Sequence, residues 1–241
     1  MADPVGRWRS RGGLIGGVAQ QRRLPFRNAQ DSVHHRDGGN RMASDTSAIL
    51  QAAAECFTEQ GYHASSIDDV ARRLKATKGR IYYHYASKID LFFDVHREGM
   101  RRLFAAVEPA METPGDGLAA LSAMLRAHAL AMMDNLVFET VVAQGVQIHR
   151  FGATTPAQRE VLDELIASRH RFEGLFKTAM ARGVADGSLG PLDVSVAVKC
   201  MLGALQWTVI WYRPEADRGP GGRVALAGEM ARTLLEGLRA R

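Results

Sequence analysis

The sequence contains few of the residues that cross-link small or secreted proteins. It has two cysteines in 241 residues, Cys56 and Cys200, and both fall in apolar helical patterns. Two cysteines exclude a disulfide scaffold and leave too few ligands at usable spacing for a Cys/His zinc site. A chain of this length buries an adequate core without such cross-links. We therefore expect reduced core thiols, no metal site and no bound cofactor.

Long apolar runs are also missing. No uninterrupted run approaches the roughly 18 residues of a membrane span. The apolar stretch Leu14–Ala19 is short and is broken by Gly16 and Gly17, which argues against a secretory signal. These two observations predict a cytoplasmic protein that has no contact with a membrane.

Residue groupings typical of catalysis are absent from the sequence. It contains no Ser/His/Asp grouping, no paired-carboxylate motif and no Gly-rich phosphate loop. We therefore predict that the protein is not an enzyme, and we assign no catalytic residue.

Lysine is scarce, and positive charge is unevenly distributed. Residues 1–43 contain eight arginines and three aspartates, which account for the whole net charge of +5. In the remaining, neutral part, residues 66–88 carry six basic and two acidic side chains, and three of the five lysines lie between positions 75 and 88. A basic island on an otherwise acidic body indicates contact with a polyanion at one end.

Residues 1–43 are rich in Gly, Arg, Gln and Asn and show no sustained period, which predicts a disordered basic tail. Two alternatives remain open. The tail is an arm that follows DNA phosphates, or the natural chain begins at Met42.

From Ser44 onward the apolar residues follow a helical period, and no stretch alternates long enough to indicate a strand, so we predict an all-α fold. Ser44 and Asp45 resemble an N-cap, and Gly61 ends the first helix. Ser66 and Asp69 form a capping-box pattern at the second helix. The predicted helices are 45–60, 66–74, 78–84, 88–111, 116–133, 136–149, 156–186, 191–213 and 223–240.

The second and third helices are short, are separated by a tight turn, and fit a helix-turn-helix that enters a DNA major groove. Ile81 and Tyr85 are four residues apart and are expected to face the core. The remaining residues of the third helix then face outward, toward the DNA. Lys88, at the start of the fourth helix, is expected to bind a DNA phosphate. The alternative is a surface helix whose aromatic residues pack on a neighbour. The predicted DNA-binding residues are Ser66, Thr77, Lys78, Gly79, Arg80, Tyr82, Tyr83, His84 and Lys88.

The segment Ser65–Ala71, followed by Thr77-Lys78-Gly79-Arg80-Ile81-Tyr82-Tyr83-His84-Tyr85-x-Ser87-Lys88-x-x-Leu91, resembles the signature of the tetracycline-repressor (TetR) family over residues 44–104. Two positions depart from the pattern. Lys75 stands where the family often has Gly, so the turn there must be strained or altered. Asp68 stands where some members have a basic DNA contact.

The resemblance implies a homodimeric repressor with a DNA-binding domain at 44–90 and an effector-binding and dimerisation domain at 91–241. The third helix of each subunit would read one major groove of a double-stranded palindromic operator, and a small molecule in the second domain would move the fourth helix. An activator, and a DNA-binding protein without an effector, are the alternatives.

Polar and aromatic groups interrupt the apolar faces of the second domain, and each is a candidate for the effector pocket or for ordinary core packing. The segment 205–214 resembles TetR regulators of fatty-acid and sterol-ring breakdown, several of which sense acyl-CoA thioesters, so the predicted effector is an acyl-CoA. The predicted ligand-binding residues are His128, Met132, Met133, Phe138, Gln144, Gln147, Phe151, Phe172, Phe176, Trp207 and Trp211.

Two further sets complete the expectations for this domain. The phosphates of CoA would need a cationic mouth, for which the candidates are Arg126, His149, Arg150, Arg169 and Arg171. The last two predicted helices would form a four-helix dimer interface through Val194, Val198, Met201, Leu202, Leu205, Leu226, Met230, Leu234 and Leu238.

Overall fold

A computed structural model of the protein describes residues 35–151, 155–214 and 221–236, with the side chains of 42–148, 155–214 and 221–236. The fold is all-α, as predicted. The predicted disordered tail, 1–43, falls outside the described residues up to position 34, and its last part, 35–43, is helical, so that part of the prediction was wrong. The helices are α1 His35–Ala64, α2 Ile67–Arg73, α3 Lys78–His84, α4 Lys88–Met111, α5 Gly117–Asp134, α6 Leu136–Phe151, α7 Pro156–Ala185, α8 Val194–Gln206, α9 Thr208–Trp211 and α10 Gly222–Leu235.

Helix α1 differs from its prediction at one end only. It begins at His35, so the prediction that Ser44 and Asp45 start it was wrong. The carboxylate of Asp45 is not used as a cap; it forms an ion pair with Arg80 of α3. The predicted end at Gly61 is confirmed, because Gly61 has a positive φ of 78° and interrupts the helical backbone.

The turn between α2 and α3 has the strained backbone that Lys75 predicted. The amide of Lys75 bonds the carbonyl of Arg72 at 3.1 Å, and that of Ala76 bonds the carbonyl of Ala71 at 2.9 Å, which is the Schellman pattern at a helix end. This pattern places Lys75 in the left-handed region, with a φ of 52°. Glycine adopts that conformation without cost, whereas lysine does not.

Buried apolar side chains form two core clusters. The N-terminal cluster joins α1, α2 and α3 to the first half of α4, including Phe92 and Val95, and to side chains of α6 and α7. The C-terminal cluster joins the second half of α4, including Met100 and Leu103, to α5, α7, α8 and α10. Helix α4 therefore belongs to both cores, and the boundary that we predict at residue 90 falls before part of the first core.

The predicted helix 191–213 is divided at Trp207 into α8 and α9. Together Val194–Trp211 spans 18 residues with a mean hydropathy of 1.4, which by length and composition is enough to cross a membrane. Lys199 and Gln206 interrupt this segment, so it is not an uninterrupted apolar run. Only 22% of this segment is buried. The segment therefore presents an apolar surface that the described part of the chain leaves largely uncovered.

Helices α5 and α7 approach each other at two glycines. A Cβ added to Gly117 would collide with the backbone nitrogen and Cα of Gly183. These are backbone atoms, which cannot rotate out of the way as the end of a side chain can. A hydrogen bond of 2.7 Å from the amide of Gly117 to the carboxylate of Asp186 holds the two helices together at the same crossing. The close crossing therefore depends on the absence of a side chain at position 117.

We expect Gly117→Ala to destabilise the protein by about 1–3 kcal/mol, because a methyl group forced into a packed contact displaces the helices. Gly174→Ala is the matched control, since Gly174 lies inside α7 with nothing within 4 Å of an added Cβ. Alanine is the better helix former, so this change should stabilise by about 0.5–1 kcal/mol. Urea unfolding followed by circular dichroism measures both, and equal effects of the two variants would contradict the crossing.

Candidate nucleic-acid interface and effector cavity

Helix α3 presents one exposed face and one buried face. Ile81 is fully buried and Tyr85 is 5% exposed, as the four-residue spacing predicted. On the opposite face, Tyr82 and Tyr83 are 47% and 76% exposed. Large aromatic side chains with this exposure are available to a partner surface, and a DNA backbone offers sugars and phosphates that they can contact.

Arg80, the predicted base-reading residue, is held by Asp45 of α1. Its Nε donates to Asp45 Oδ2 at 3.2 Å, and its Nη2 donates to Asp45 Oδ1. His84 Nε2 lies 3.3 Å from Asp45 Oδ2. One edge of the Arg80 guanidinium is therefore engaged, and its other N–H donors remain available for a base edge.

Lys78 is also paired. Its ammonium donates to Asp68 Oδ2 of α2 at 2.9 Å, and this bond raises the pKa of Lys78. The unusual acid at position 68 thus pairs with a cation of the reading helix. Each exposed cation of α3 has an acidic partner from a neighbouring helix, so binding to DNA must replace or accommodate two intramolecular ion pairs.

Three other predicted contacts surround this face. Thr77 is the N-cap of α3, but its side chain makes no capping hydrogen bond. Gly79 is exposed, and a Cβ placed there would meet nothing nearer than the Thr77 hydroxyl at 4.0 Å. Ser66 forms the capping box of α2 with Asp69: its hydroxyl oxygen accepts from the Asp69 amide at 3.2 Å, and the Asp69 carboxylate accepts from the Ser66 amide at 2.9 Å.

Lys88 does not have the environment of a phosphate anchor, and that prediction was wrong. Its ammonium donates to the carbonyl oxygens of Tyr62 at 2.7 Å and Ser65 at 2.9 Å. It also lies 4.4 Å from the centre of the Tyr62 ring. Burial lowers its pKa. Lys88 therefore fastens the start of α4 to the segment that joins α1 and α2.

A cavity of about 420 Å³ opens in the C-terminal part of the chain. Helices α4, α5, α6, α7 and α8 all contribute to its wall. Its lining residues are His96, Met100, Leu103, His128, Val142, Gly145, Val146, Leu162, Leu165, Ile166, Arg169, His170, Phe172, Glu173, Lys199, Leu202, Gly203 and Gln206. This volume is within the range of small-molecule sites.

Two predicted pocket residues, His128 and Phe172, line this cavity. Phe176 stands behind them, with its ring centre 5.4 Å from that of Phe172. Met132, Met133 and Phe138 are buried in the cores and do not line this cavity.

The remaining predictions for the pocket fall elsewhere. Gln144 donates its amide to the carbonyl of Phe57 at 3.0 Å, and Gln147 is exposed away from the lining. The side chain of Phe151 lies outside the described residues.

Trp207 and Trp211 were predicted as pocket residues, and this was wrong. They are 62% and 44% exposed and do not line the cavity. The predicted interface residues Val198, Met201 and Leu205 are instead buried in the C-terminal core. Helical periodicity identified an apolar face of α8 but not whether the protomer itself covers it. From α8 to α10, the large apolar residues that remain exposed are Val196, Trp207, Ile210, Trp211 and Val224.

Two cationic groups, Arg169 and Lys199, line the cavity, and only the first was predicted. Arg169 was a candidate and lines the cavity, whereas Arg126 and Arg171 are exposed outside it. His149 and Arg150 have side chains outside the described residues. Sequence reasoning missed Lys199, which stands on α8, and His170, next to Arg169. Lys199 lies 3.4 Å from the Glu173 carboxylate.

Sequence reasoning also missed His96, which stands on the apolar face of α4 four residues from Phe92 and from Met100. That periodic position was a signal that α4 contributes a polar group to the interior. Among the residues whose side chains are described, no cluster of three His, Cys, Asp or Glu side chains has the arrangement of a metal site.

Comparisons with known proteins identify the class of protein. The family model described as bacterial regulatory proteins, tetR family, matches residues 49–95, and the model described as tetracyclin repressor-like, C-terminal domain, matches residues 114–238. The chain belongs to the TetR family of DNA-binding transcriptional regulators, a family of non-enzymatic proteins.

Individual relatives agree with this assignment. The chain is 25% identical over 181 residues to the transcriptional repressor KstR2 of Mycolicibacterium smegmatis, covering 74% of this chain and 84% of that protein. It is 34% identical over 91 residues to the transcriptional activator FasR of the same organism, covering 37% of this chain and 42% of FasR.

Solved structures show the same fold. The TetR-family regulator PfmR from Thermus thermophilus superposes with a TM-score of 0.66 and is 32% identical, covering 78% of this chain and 96% of PfmR. AibR, in a complex with isovaleryl coenzyme A and operator DNA, superposes with a TM-score of 0.62 at 22% identity, covering 78% of this chain and 97% of AibR.

We expect Arg80→Ala and Lys88→Met to fail in different ways. Loss of Arg80 should lower affinity for a selected operator by about 5–150-fold more than for random duplex DNA, because a bidentate guanine contact is worth about 1–3 kcal/mol. Loss of Lys88 should lower the melting temperature, because buried carbonyls lose a charged donor. Fluorescence anisotropy and thermal melting measure the two effects. Equal losses on both DNAs for Arg80→Ala would contradict base reading.

Proposed function

We propose that the protein is a homodimeric repressor that binds a palindromic operator through α3 and is released by an acyl-CoA thioester. The observation that carries this proposal is the position of α4. Its residues His96, Met100 and Leu103 line the cavity, while its first half packs in the core of the DNA-binding helices. A ligand that displaces α4 would therefore also displace the DNA-binding helices. The family membership supports a cytoplasmic location.

The composition of the cavity supports a thioester of coenzyme A. Apolar side chains such as Met100, Leu103 and Val142 suit an acyl group, and Arg169 and Lys199 supply positive charge that would bind phosphates. The volume of about 420 Å³ favours enclosure of the acyl part, with the nucleotide near the exposed cations. AibR, which shares the fold, was solved with isovaleryl coenzyme A.

We propose repression rather than activation because the chain matches the repressor KstR2 over a longer stretch than the activator FasR. The match to the repressor KstR2 covers both parts of the chain, whereas the match to the activator FasR covers 37% of it. An activator is the second candidate because of the 34% identity to FasR. A reporter gene placed behind the selected operator distinguishes the two, since deletion of the regulator raises expression for a repressor and lowers it for an activator.

The exposed apolar face of α8 and α9 supports the homodimer. Val196, Cys200, Gly203 and Trp207 fall at helical spacing on one exposed face of α8. Large apolar residues that remain exposed together mark an interaction surface. A second copy of the chain offers the same apolar surface, and a two-fold axis would bury both. Burial of this face between two protomers would also explain why the segment Val194–Trp211 is so apolar, without the need for a membrane.

We expect Trp207→Glu to convert the dimer into a monomer, because a charge placed in an apolar interface is not solvated there. Analytical ultracentrifugation measures the mass. Alkylation of Cys200 should accelerate in the variant, while buried Cys56 serves as an internal standard. Met42→Glu, which changes an exposed apolar residue of α1, is the control and should leave the mass unchanged. A dimeric Trp207→Glu protein with protected Cys200 would contradict this interface.

Lys199→Met should reduce the response to acyl-CoA thioesters by about tenfold or more, because a charge-assisted hydrogen bond to phosphate is worth about 1.5–3 kcal/mol. Lys177→Met is the matched control, since both lysines approach Glu173, at 3.4 and 2.5 Å, and only Lys199 lines the cavity. The measurement is thioester-induced loss of anisotropy from a labelled operator. If no thioester releases the operator at about 1 mM and another small molecule does, the acyl-CoA proposal fails.

A further inference from the structure

Three polar groups in the cavity wall have no hydrogen-bond partner within the described part of the chain. They are Nδ1 of His96 on α4, Nδ1 of His128 on α5, and Nε2 of Gln206 at the end of α8. The two histidines are almost fully enclosed, with 1% and 3% of their surface exposed. Buried polar groups in folded proteins are nearly always paired. Three unpaired groups around one cavity therefore indicate a polar occupant.

Both imidazoles are fixed in place by packing. The His128 ring centre lies 5.1 Å from that of Phe172 and 5.7 Å from that of Phe176. The His96 ring lies against Gly145 of α6, where an added Cβ would stand 2.6 Å from its Cδ2 and 3.1 Å from its Nε2. Groups that are already oriented lose little freedom when a ligand binds, so they add selectivity.

The two imidazoles are uncharged at neutral pH. Burial lowers the pKa of His96 to about 4 and that of His128 to about 3. Each neutral ring offers one N–H donor and one nitrogen acceptor, and the Gln206 amide nitrogen is a donor. Hydroxyl and carbonyl oxygens match these groups. The cations Arg169 and Lys199 line the same cavity and suit the anionic end of a ligand.

We propose that the cavity selects an effector whose enclosed part is an uncharged group bearing oxygen, that is, a hydroxyl- or keto-substituted acyl chain or ring, over the unsubstituted hydrocarbon of the same size. This inference rests on the proposed acyl-CoA function and specifies its acyl group. A plain alkyl chain would fill the space between Met100, Leu103 and Val142 but would leave all three polar groups unpaired. Sites of that kind strongly reject analogues that lack the matching oxygen.

The test is a comparison of matched thioesters on the full-length protein. Isothermal titration calorimetry with octanoyl-CoA and with its 3-hydroxy, 5-hydroxy and 7-hydroxy derivatives examines successive depths of the cavity. At least one hydroxylated derivative should bind about tenfold or more tightly than octanoyl-CoA. Equal or weaker binding of every derivative would overturn the inference and leave the acyl-CoA proposal standing. If none of the four thioesters binds at about 1 mM, both fail.

Two variants test which residues produce the preference for a hydroxylated thioester. His128→Phe keeps a ring against Phe172 and Phe176 but removes both nitrogens, and Gln206→Met keeps the length but removes the amide. At least one of them should bring the hydroxylated and plain thioesters to within about threefold of each other, while octanoyl-CoA binds at least as tightly as before. His63→Phe is the control, because His63 is exposed near the end of α1, is not part of the cavity lining and should leave the preference intact. A preference retained in both variants would overturn the assignment.

Discussion

The continuity of helix α4 is the constraint on which the working of this structure depends. The helix runs without a break from Lys88 to Met111 and, at about 1.5 Å per residue, spans about 36 Å. Its first half is buried among the DNA-binding helices, and its second half is buried around the cavity. Because both halves are packed, a displacement of α4 at the cavity would, under the proposed function, also act on the DNA-binding helices. Lys88 strengthens this link by binding the carbonyls of Tyr62 and Ser65.

Helix α6 provides a second connection between the two parts. The hydroxyl of Thr58 on α1 donates to the Val137 carbonyl at 2.9 Å, and Gln144 donates to the Phe57 carbonyl at 3.0 Å. The cavity residues Val142 and Gly145 stand on the same helix. A ligand shifts the protein only by its difference in affinity between two states. Contacts from α4 and α6 to one cavity give a ligand two elements whose positions it can bias, within a coupling of about 1–3 kcal/mol.

Periodicity and turn residues were sufficient to predict the fold. The predicted limits of the helices at 78–84 and 88–111 agree with α3 and α4, and the strain at Lys75 followed from the absence of glycine there. The predicted start of α1 was wrong because residues that can cap a helix also occur inside helices. The surroundings of the Lys88 and Trp207 side chains could not be predicted from the sequence. Those of Lys88 depend on residues distant in the sequence, and those of Trp207 depend on a surface that a second chain would supply. A single apolar helix does not reveal which of its faces is covered by its own protomer.

The charges of the reading helix add a constraint on specificity. Arg80 and Lys78 already have carboxylate partners, Asp45 and Asp68, in the free protein. Phosphates of any DNA sequence must compete with those carboxylates, so the acids weaken general attraction to DNA. A guanine in register offers Arg80 two acceptors that match its free donors, and the Asp45 contact can persist while they bind. If Arg80 reads a guanine in this way, Asp45 penalises random DNA more than the operator, and this ion pair is a source of discrimination as well as a cost in affinity.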